Sequence, residues 1–210
     1  MKEIIQEQSV IYFITKRVID VVGSVVGLVL LSWLFLIVII AIKVEDPKGP
    51  VFFKQVRLGK DEKEFKMLKF RSMVTDAEER LKELLKENEI DGAMFKMKKD
   101  PRVTKIGNFI RKTSIDELPQ LLNVLKGEMS LVGPRPPLPR EVELYTAYDK
   151  QRLLVIPGCT GLWQVSGRSN VSFGEMVELD LQYIKKRTIF YDVTILFKTI
   201  KLLFGSKDAY

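Results

Sequence analysis

Between residues 21 and 42 the chain carries no charged side chain, and apolar residues run through it almost without interruption. At about 1.5 Å per residue, such a helix matches a hydrocarbon core of about 30 Å. Lys16 and Arg17 precede the run, Asp20 sits at its edge, and Lys43 and Lys48 follow it. A simple span gathers its cations on one side. Cations at both ends suit a helix that bends back within the membrane, with Gly23, Gly27 and Ser32 as weak points. The plainer alternative is one ordinary span with a short tail of opposite sidedness. The run is too long for a signal-peptide core and no small-residue cleavage site follows, so it is expected to stay in the mature protein.

Beyond it the pattern changes. Residues 45–50 form a turn-rich linker, and 51–57 and 64–70 read as two short strands joined by a hairpin loop at 58–62. Thr75-x-x-Glu78 is a capping box that opens a helix running to about residue 88. Its stripe is Leu81, Leu84 and Leu85, and its charges form a solvated face. Asp91-Gly92 marks a loop. Leu118, Leu121, Leu122 and Leu125 repeat at helical spacing up to Gly127. Pro134, Pro136, Pro137 and Pro139 stiffen an extended segment. Residues 191–204 are helix-like, with Val193, Leu196, Phe197, Ile200 and Leu203 near one face and Lys198 and Lys201 beside it, which suits a core helix or an interfacial one. Together these elements predict an α-rich α+β fold. Region 1–44 holds the membrane helix, and domain 45–210 is made of helices with a small β-hairpin and interfacial helices.

The chain has 210 residues and a net charge of +7, which favours anionic partners: nucleic acid, anionic lipid or phosphorylated small molecules. It has no histidine and one cysteine, Cys159. That excludes a Ser-His-Asp triad, an HExxH zinc site, a Cys/His structural zinc and an internal disulfide framework. Any proton transfer or covalent step must fall to Asp, Glu, Lys, Tyr, Ser or Thr. Cys159 reads as a small packing residue.

The candidate chemistry centres on Asp116-Glu117. Arg111 and Lys112 lie just upstream, and Arg135 follows between two prolines. Two carboxylates, a helix N-terminus and several cations are the parts a phosphoryl-transfer site needs. Adjacent acids are costly to ionise together, so a divalent cation bridging them and a pyrophosphate is a natural complement. The bland alternative is that Ser114-x-x-Glu117 is itself a capping box. A second cluster, Lys69-Phe70-Arg71-Ser72-Met73 with Lys66 nearby, reads as a phosphate clamp or as an exposed basic strand end. A third, residues 157–168, has three glycines that allow close approach to a ligand and a tryptophan, Trp163, that could stack on a base or sugar or fill a core.

These motifs occur in order. Lys16-Arg17-x-x-Asp20, Gly49-Pro50-Val51-Phe52-Phe53, Lys69-Phe70-Arg71-Ser72-Met73, Asp116-Glu117-Leu118-Pro119-Gln120, Gly133-Pro134-Arg135-Pro136 and residues 161–168 together resemble the bacterial sugar transferase family, the monotopic polyprenyl-phosphate phosphoglycosyl transferases. The resemblance covers residues 15–201. It implies transfer of a sugar 1-phosphate from a UDP-sugar to undecaprenyl phosphate with release of UMP, the first membrane step of surface glycan assembly. It implies that Asp116 attacks the β-phosphorus to give a phosphosugar-aspartyl intermediate, and that Glu117 helps bind Mg²⁺. Lys69, Arg71, Arg111, Gln120, Arg135 and Arg168 are the implied substrate and phosphate contacts. The implied location is the bacterial cytoplasmic membrane, with the helix re-entrant and the catalytic domain on the cytoplasmic face beside an anionic lipid bilayer. A homodimer is left open.

The chain departs from the family at one point: Ser32-Trp33 stands where many members have Ser-Pro, which removes the main local cause of a kink. Larger members add a multi-span N-terminal region, so the chain looks like a minimal version. Glucose, galactose and N-acetylated amino sugars all remain open as cargo, with residues 91–99 and the Trp163 loop expected to vary with the sugar. Three readings compete: a membrane-anchored glycosyltransferase releasing UDP, a membrane-tethered protein binding nucleic acid through its basic face, and a scaffold in which Asp116-Glu117 only caps a helix. No base-reading motif is present, so the expectation is no nucleic acid partner.

Overall fold

The computed structural model describes residues 8–84, 97, 100–167 and 171–205. Helix α1 (Val10–Leu30) opens behind Ser9, whose hydroxyl accepts from the Tyr12 N–H at 3.2 Å. After one residue comes α2 (Ser32–Glu45), and the two helices are bent by 60°. The bend forms without proline. Ser32 Oγ donates to the Val29 carbonyl at 2.8 Å, and a hydroxyl that returns to the preceding turn bends a helix. Among the described residues no single helix is long and apolar enough to cross a membrane, whereas the bent pair together is, by length and composition.

α1 is built inside out. It buries Tyr12, Asp20 and Ser24, while Val22, Val25, Val26, Val29 and Leu30 stay exposed. Its polar face is docked onto the rest of the chain. Lys16 Nζ meets Asp192 Oδ2 at 2.7 Å and donates to the Val132 carbonyl at 3.0 Å. The Arg17 guanidinium donates to the Val124 and Leu125 carbonyls at 2.6 and 2.7 Å. Asp20 Oδ1 accepts from Ser130 Oγ at 3.0 Å and from the Leu131 N–H at 2.9 Å.

The hairpin pairs β1 (Phe52–Leu58) antiparallel with β2 (Glu64–Phe70), Phe52 opposite Phe70 and Leu58 opposite Glu64. Cross-strand partners share a face and side chains alternate, so Gln55, Arg57, Phe65, Met67 and Lys69 all stand on one side. The outer edge of β2 is closed by a side chain: Asn123 Nδ2 donates to the Lys66 carbonyl at 2.8 Å and its Oδ1 accepts from the Leu68 N–H at 2.9 Å. An amide thus completes the edge as a third strand would.

The remaining elements are α3 (Ala77–Leu84), α4 (Lys105–Lys112), α5 (Gln120–Lys126), β3 (Ser130–Val132), α6 (Pro139–Val142), β4 (Gly158–Thr160), α7 (Leu162–Ser166), α8 (Phe173–Lys186) and α9 (Ile189–Gly205). α3 starts at Ala77, within a residue of the start expected from Thr75-x-x-Glu78, with Asp76 paired to Arg80 at 2.7 Å. Its expected continuation toward residue 88 and the loop at Asp91-Gly92 lie outside the described residues. α5 ends at Gly127, whose φ of 82° is the left-handed conformation that a helix C-cap uses. β3 and β4 pair in parallel, Ser130 with Gly158 and Val132 with Thr160. Gly158 makes that possible, since a Cβ there would stand 2.0 Å from the Gly133 nitrogen. The glycines of this loop therefore approach the protein's own backbone.

Besides a small cluster of Leu58, Val142, Tyr145 and Leu153, three clusters hold the described part of the fold. Val132, Leu162, Val177, Leu181, Ile184 and Ile195 join β3 to α7, α8 and α9. Val38 and Ile42 of α2 pack with Phe70 and Ile110, so the bent helix shares a core with the hairpin and α4. Phe65 and Met67 pack with Val124 and Met129, with Cys159 against them. Full burial of one such side chain stabilises by about 1.5–3 kcal/mol. Below the first cluster the Arg152 guanidinium pairs with Asp180, both almost wholly buried, and Arg152 also donates to Tyr145 OH at 2.9 Å.

Candidate active site

The two acids lie where α4 hands over to α5. Thr104 caps the start of α4, accepting from the Gly107 N–H at 2.9 Å. At its end Thr113 Oγ1 donates to the Phe109 carbonyl at 2.9 Å. Ser114 then adopts φ 56°, ψ 17°, a left-handed conformation that costs a serine about 1 kcal/mol or more. The reversal feeds a 3-10 turn, Ile115–Glu117, and Pro119, which lacks an N–H, precedes α5.

This geometry settles two expectations against the sequence reading. Ser114 makes no capping hydrogen bond, so Glu117 does not close a capping box. α5 has seven residues and begins at Gln120, so the acids sit on the turn and not at an extended helix end. Asp116 is 7% exposed.

Glu117 Oε1 meets Lys69 Nζ at 2.7 Å, and the Glu117 side chain is 40% exposed. Lys69 comes from the hairpin face that also carries Gln55 and Arg57. Arg135 follows β3 in the proline-stiffened segment, and its guanidinium meets Glu141 Oε2 at 3.2 Å. Glu141 also accepts from the Leu138 N–H at 2.9 Å, which holds the segment in shape.

The site pushes the two carboxyls apart. Burial raises Asp116, the charge of Lys69 opposes that, Glu117 adds to it and Arg111 again opposes; the result is a carboxyl pushed up to about 6. For Glu117, burial also acts upward, but the Lys69 charge and hydrogen bond outweigh it, with Arg135 and Arg57 assisting, and Glu117 falls below its ordinary value. Neighbouring acids whose surroundings separate them in this way take different roles: one stays ionised as an electrostatic or ligand group while the other titrates close to neutrality. The Cys159 thiol lies near enough to feel Glu117, yet burial drives it far above its ordinary value, so it is inert.

The structure brings Lys69, Arg111 and Arg135 to the acids, with Gln120 buried at the start of α5. It engages Arg71 elsewhere: the guanidinium binds Asp46 Oδ2 at 2.6 Å where α2 leaves for the hairpin. A Cβ on Gly49 would strike that guanidinium at 1.5 Å, so the glycine makes room for it. The clamp expected at Arg71 is thus a tie between α2 and β2. Arg168 lies outside the described residues. Trp163 is half-buried with its indole N–H enclosed and no hydrogen-bond partner among the described residues. Arg57 was not singled out from sequence, yet it stands on the face of Lys69; the signal was the alternation Phe53, Gln55, Arg57, which becomes readable once the hairpin register is known.

A divalent cation fits the donor set in one way. No group of three or more Asp, Glu, His or Cys lies together among the described residues. Mg²⁺ is commonly held by one or two carboxylates, with substrate phosphate oxygens and water filling the remaining positions. Asp116 and Glu117 match that pattern.

Comparison with known proteins gives a consistent result. The family model described as bacterial sugar transferase matches residues 11–206. The chain is 48% identical over 193 residues to the galactosyl transferase CpsE of Streptococcus agalactiae serotype III, covering 91% of this chain and 42% of that protein. It is 47% identical over 199 residues to the undecaprenyl-phosphate galactose phosphotransferase of Salmonella typhimurium, covering 93% and 41%. It is 44% identical over 199 residues to the exopolysaccharide production protein ExoY of Rhizobium meliloti, covering 93% and 88%. The chain thus spans about two-fifths of the length of the first two relatives.

Proposed function

The chain belongs to the bacterial sugar transferase family, and from that premise we propose that it transfers a sugar 1-phosphate from a UDP-sugar to undecaprenyl phosphate and releases UMP. The relative named as an undecaprenyl-phosphate galactose phosphotransferase supports the reaction class. The observation that carries the reading is the split pair: a buried Asp116 pushed up to about 6 beside a Glu117 held low by Lys69.

Asp116 is the nucleophile. One Oδ attacks the β-phosphorus of the donor; the Oδ–P bond forms as the bond to the bridging oxygen breaks, and that oxygen leaves on UMP. A phosphate oxygen of undecaprenyl phosphate then attacks the same phosphorus, the aspartyl–phosphorus bond breaks, and Asp116 returns as a carboxylate. Neither step needs a proton acceptor, which suits a chain without histidine. At pH 7 a carboxyl of pKa about 6 is roughly 90% ionised, so most molecules are ready to attack. Lys69, Arg111 and Arg135 steady the phosphates, and Arg168 is assigned the same role by its place in the family motif. Glu117 would hold Mg²⁺ through Oε2, which makes no hydrogen bond among the described residues. When bound, the ion neutralises charge that gathers on the diphosphate oxygens.

The apolar residues Val22, Val25, Val26, Val29 and Leu30 of α1 and Trp33, Leu36, Ile37 and Ile40 of α2 are all exposed. Apolar surface on that scale marks a membrane contact. On this proposal the bent pair is a re-entrant anchor in the cytoplasmic membrane, with the catalytic domain on the cytoplasmic face, where the lipid phosphate meets the soluble nucleotide.

The test is nucleotide release from a panel of UDP-sugars by detergent-solubilised protein with undecaprenyl phosphate and Mg²⁺. UMP from one donor, lost in EDTA and restored by Mg²⁺, is expected. UDP as the product would move the chain to simple glycosyl transfer and remove Asp116 as a nucleophile.

A further inference from the structure

Arg57 is buried, 6% exposed, and among the described residues no carboxylate lies within ion-pairing distance of it. Its neighbours in charge have partners: Lys69 has Glu117 and Arg135 has Glu141. Arg57 Nε and Nη2 donate to Gln55 Oε1 at 3.2 and 2.7 Å, and Nη1 donates to the Pro136 carbonyl at 3.0 Å. A guanidinium carries five N–H donors; three are used, so two remain. Burial acts most strongly against its charge and Arg135 adds to that, while Glu141 and Glu117, both beyond ion-pairing distance, favour it only in part. An enclosed cation beside a like charge is a costly arrangement unless an anion completes it.

The fold takes trouble to keep it there. The Leu58 N–H donates to the Pro137 carbonyl at 3.0 Å, so the end of β1 is zipped to the same segment that carries Arg135. Gln55, on the same hairpin face, orients the fork. Arg57 and Arg135 are thereby held on adjoining segments, near enough for the charge of Arg135 to act on Arg57 and for both to act on Glu117, with Glu141 paired to Arg135. We infer that Arg57, together with Arg135, is a phosphate-binding pair that receives a phosphate group of one of the two substrates. This rests on the reaction proposed above, in which two sources compete: the phosphate that departs on UMP, and the phosphate of the lipid carrier. Guanidinium pairs grip phosphate oxygens with parallel, charge-assisted hydrogen bonds.

The experiment uses the full chain in detergent with Arg57→Gln and Arg57→Lys, and reads binding before turnover. UMP affinity is measured by titration calorimetry in Mg²⁺, which needs no catalysis. Loss of one charged hydrogen-bonding group is expected to weaken the phosphate by roughly 10- to 100-fold, with partial recovery in Arg57→Lys. A weaker UMP together with a raised KM for the UDP-sugar assigns the pair to the nucleotide. Unchanged UMP affinity with a raised KM for undecaprenyl phosphate assigns it to the lipid. If wild-type protein binds UMP but turns over no donor, the reaction assigned above fails while the pair survives on the binding result. If both variants fold and neither UMP affinity nor either KM moves, the pair is structural only and the inference is overturned.

Discussion

Replacing Asp116 by asparagine is expected to abolish turnover and to make the protein more stable. Asp116 is 7% exposed and its carboxyl is pushed up to about 6, against about 3.9 for an unfolded chain. A folded pKa above the unfolded one means that folding favours the protonated form. The stability this gives is fully present below about pH 4 and is lost as pH rises through about 6. At pH 7 the folded state therefore carries an ionised group that it disfavours, by roughly two pKa units or about 3 kcal/mol. Asparagine keeps the shape and removes the charge. Its advantage over wild type should be greatest near pH 7, fall to roughly half by pH 5 and largely vanish near pH 4. For a chain of this size, about 3 kcal/mol corresponds to a melting shift of roughly 5–10 °C. Melting curves of the two proteins in one detergent, recorded from pH 4 to 8, make the test. A variant that melts below wild type at pH 7, or a difference that does not change with pH, would refute the reasoning and favour a capping role for the pair.

Lys69→Met should lower activity and move the acid limb of the pH–rate profile upward, because Lys69 opposes the rise of the Asp116 carboxyl and holds Glu117 low; an unmoved acid limb would count against it. Arg71→Ala should lower the melting temperature by freeing Asp46 and the Gly49 turn, with KM for the donor staying within about twofold; a large rise in KM would restore Arg71 as a phosphate clamp. Arg17→Ala removes two charged hydrogen bonds to the α5 carbonyls, which should cost about 2–4 kcal/mol by denaturant melts.

The hairpin, the extended run at Pro134, Pro136 and Pro137, and the end of α5 at Gly127 were legible because each rests on local rules: alternation, fixed φ and a left-handed cap; Pro139, expected in the same run, instead opens α6, where a proline suits the first helical position. The α8 start obeys the same kind of local rule, with Ser172 and Glu175 forming a reciprocal capping box. α4 has eight residues, too few for its pattern to stand out. The parallel pairing of β3 with β4 joins three-residue segments far apart in sequence, and no local signal encodes it. At the site, residue types were legible and their partners were not. Asp116 and Glu117 announced themselves as adjacent acids. That Lys69 would pair with Glu117 while Arg71, two positions on, turns to Asp46 depends on where β2 ends and where α2 delivers its last residue.

α1 and the segment that carries Arg135 are one mechanical unit. Asp20 accepts from Ser130 and Leu131, and Lys16 donates to Val132, so every residue of β3 is held by the polar face of α1. β3 runs directly into Gly133, Pro134 and Arg135, and the prolines leave little freedom over those three residues. Arg135 is thus set at a fixed distance from a helix whose other face is apolar. Arg17, grasping the last carbonyls of α5, ties down the helix that follows Asp116 and Glu117. A soluble helix would present its apolar side to the domain and its charges to water; here the order is reversed, and the charges serve as rivets. The proposed reaction, which brings a nucleotide from water to a lipid-borne phosphate, needs acids and cations at one height. Building that height from α1 hydrogen bonds adds to the Arg71–Asp46 tie that holds the turn at residues 46–50.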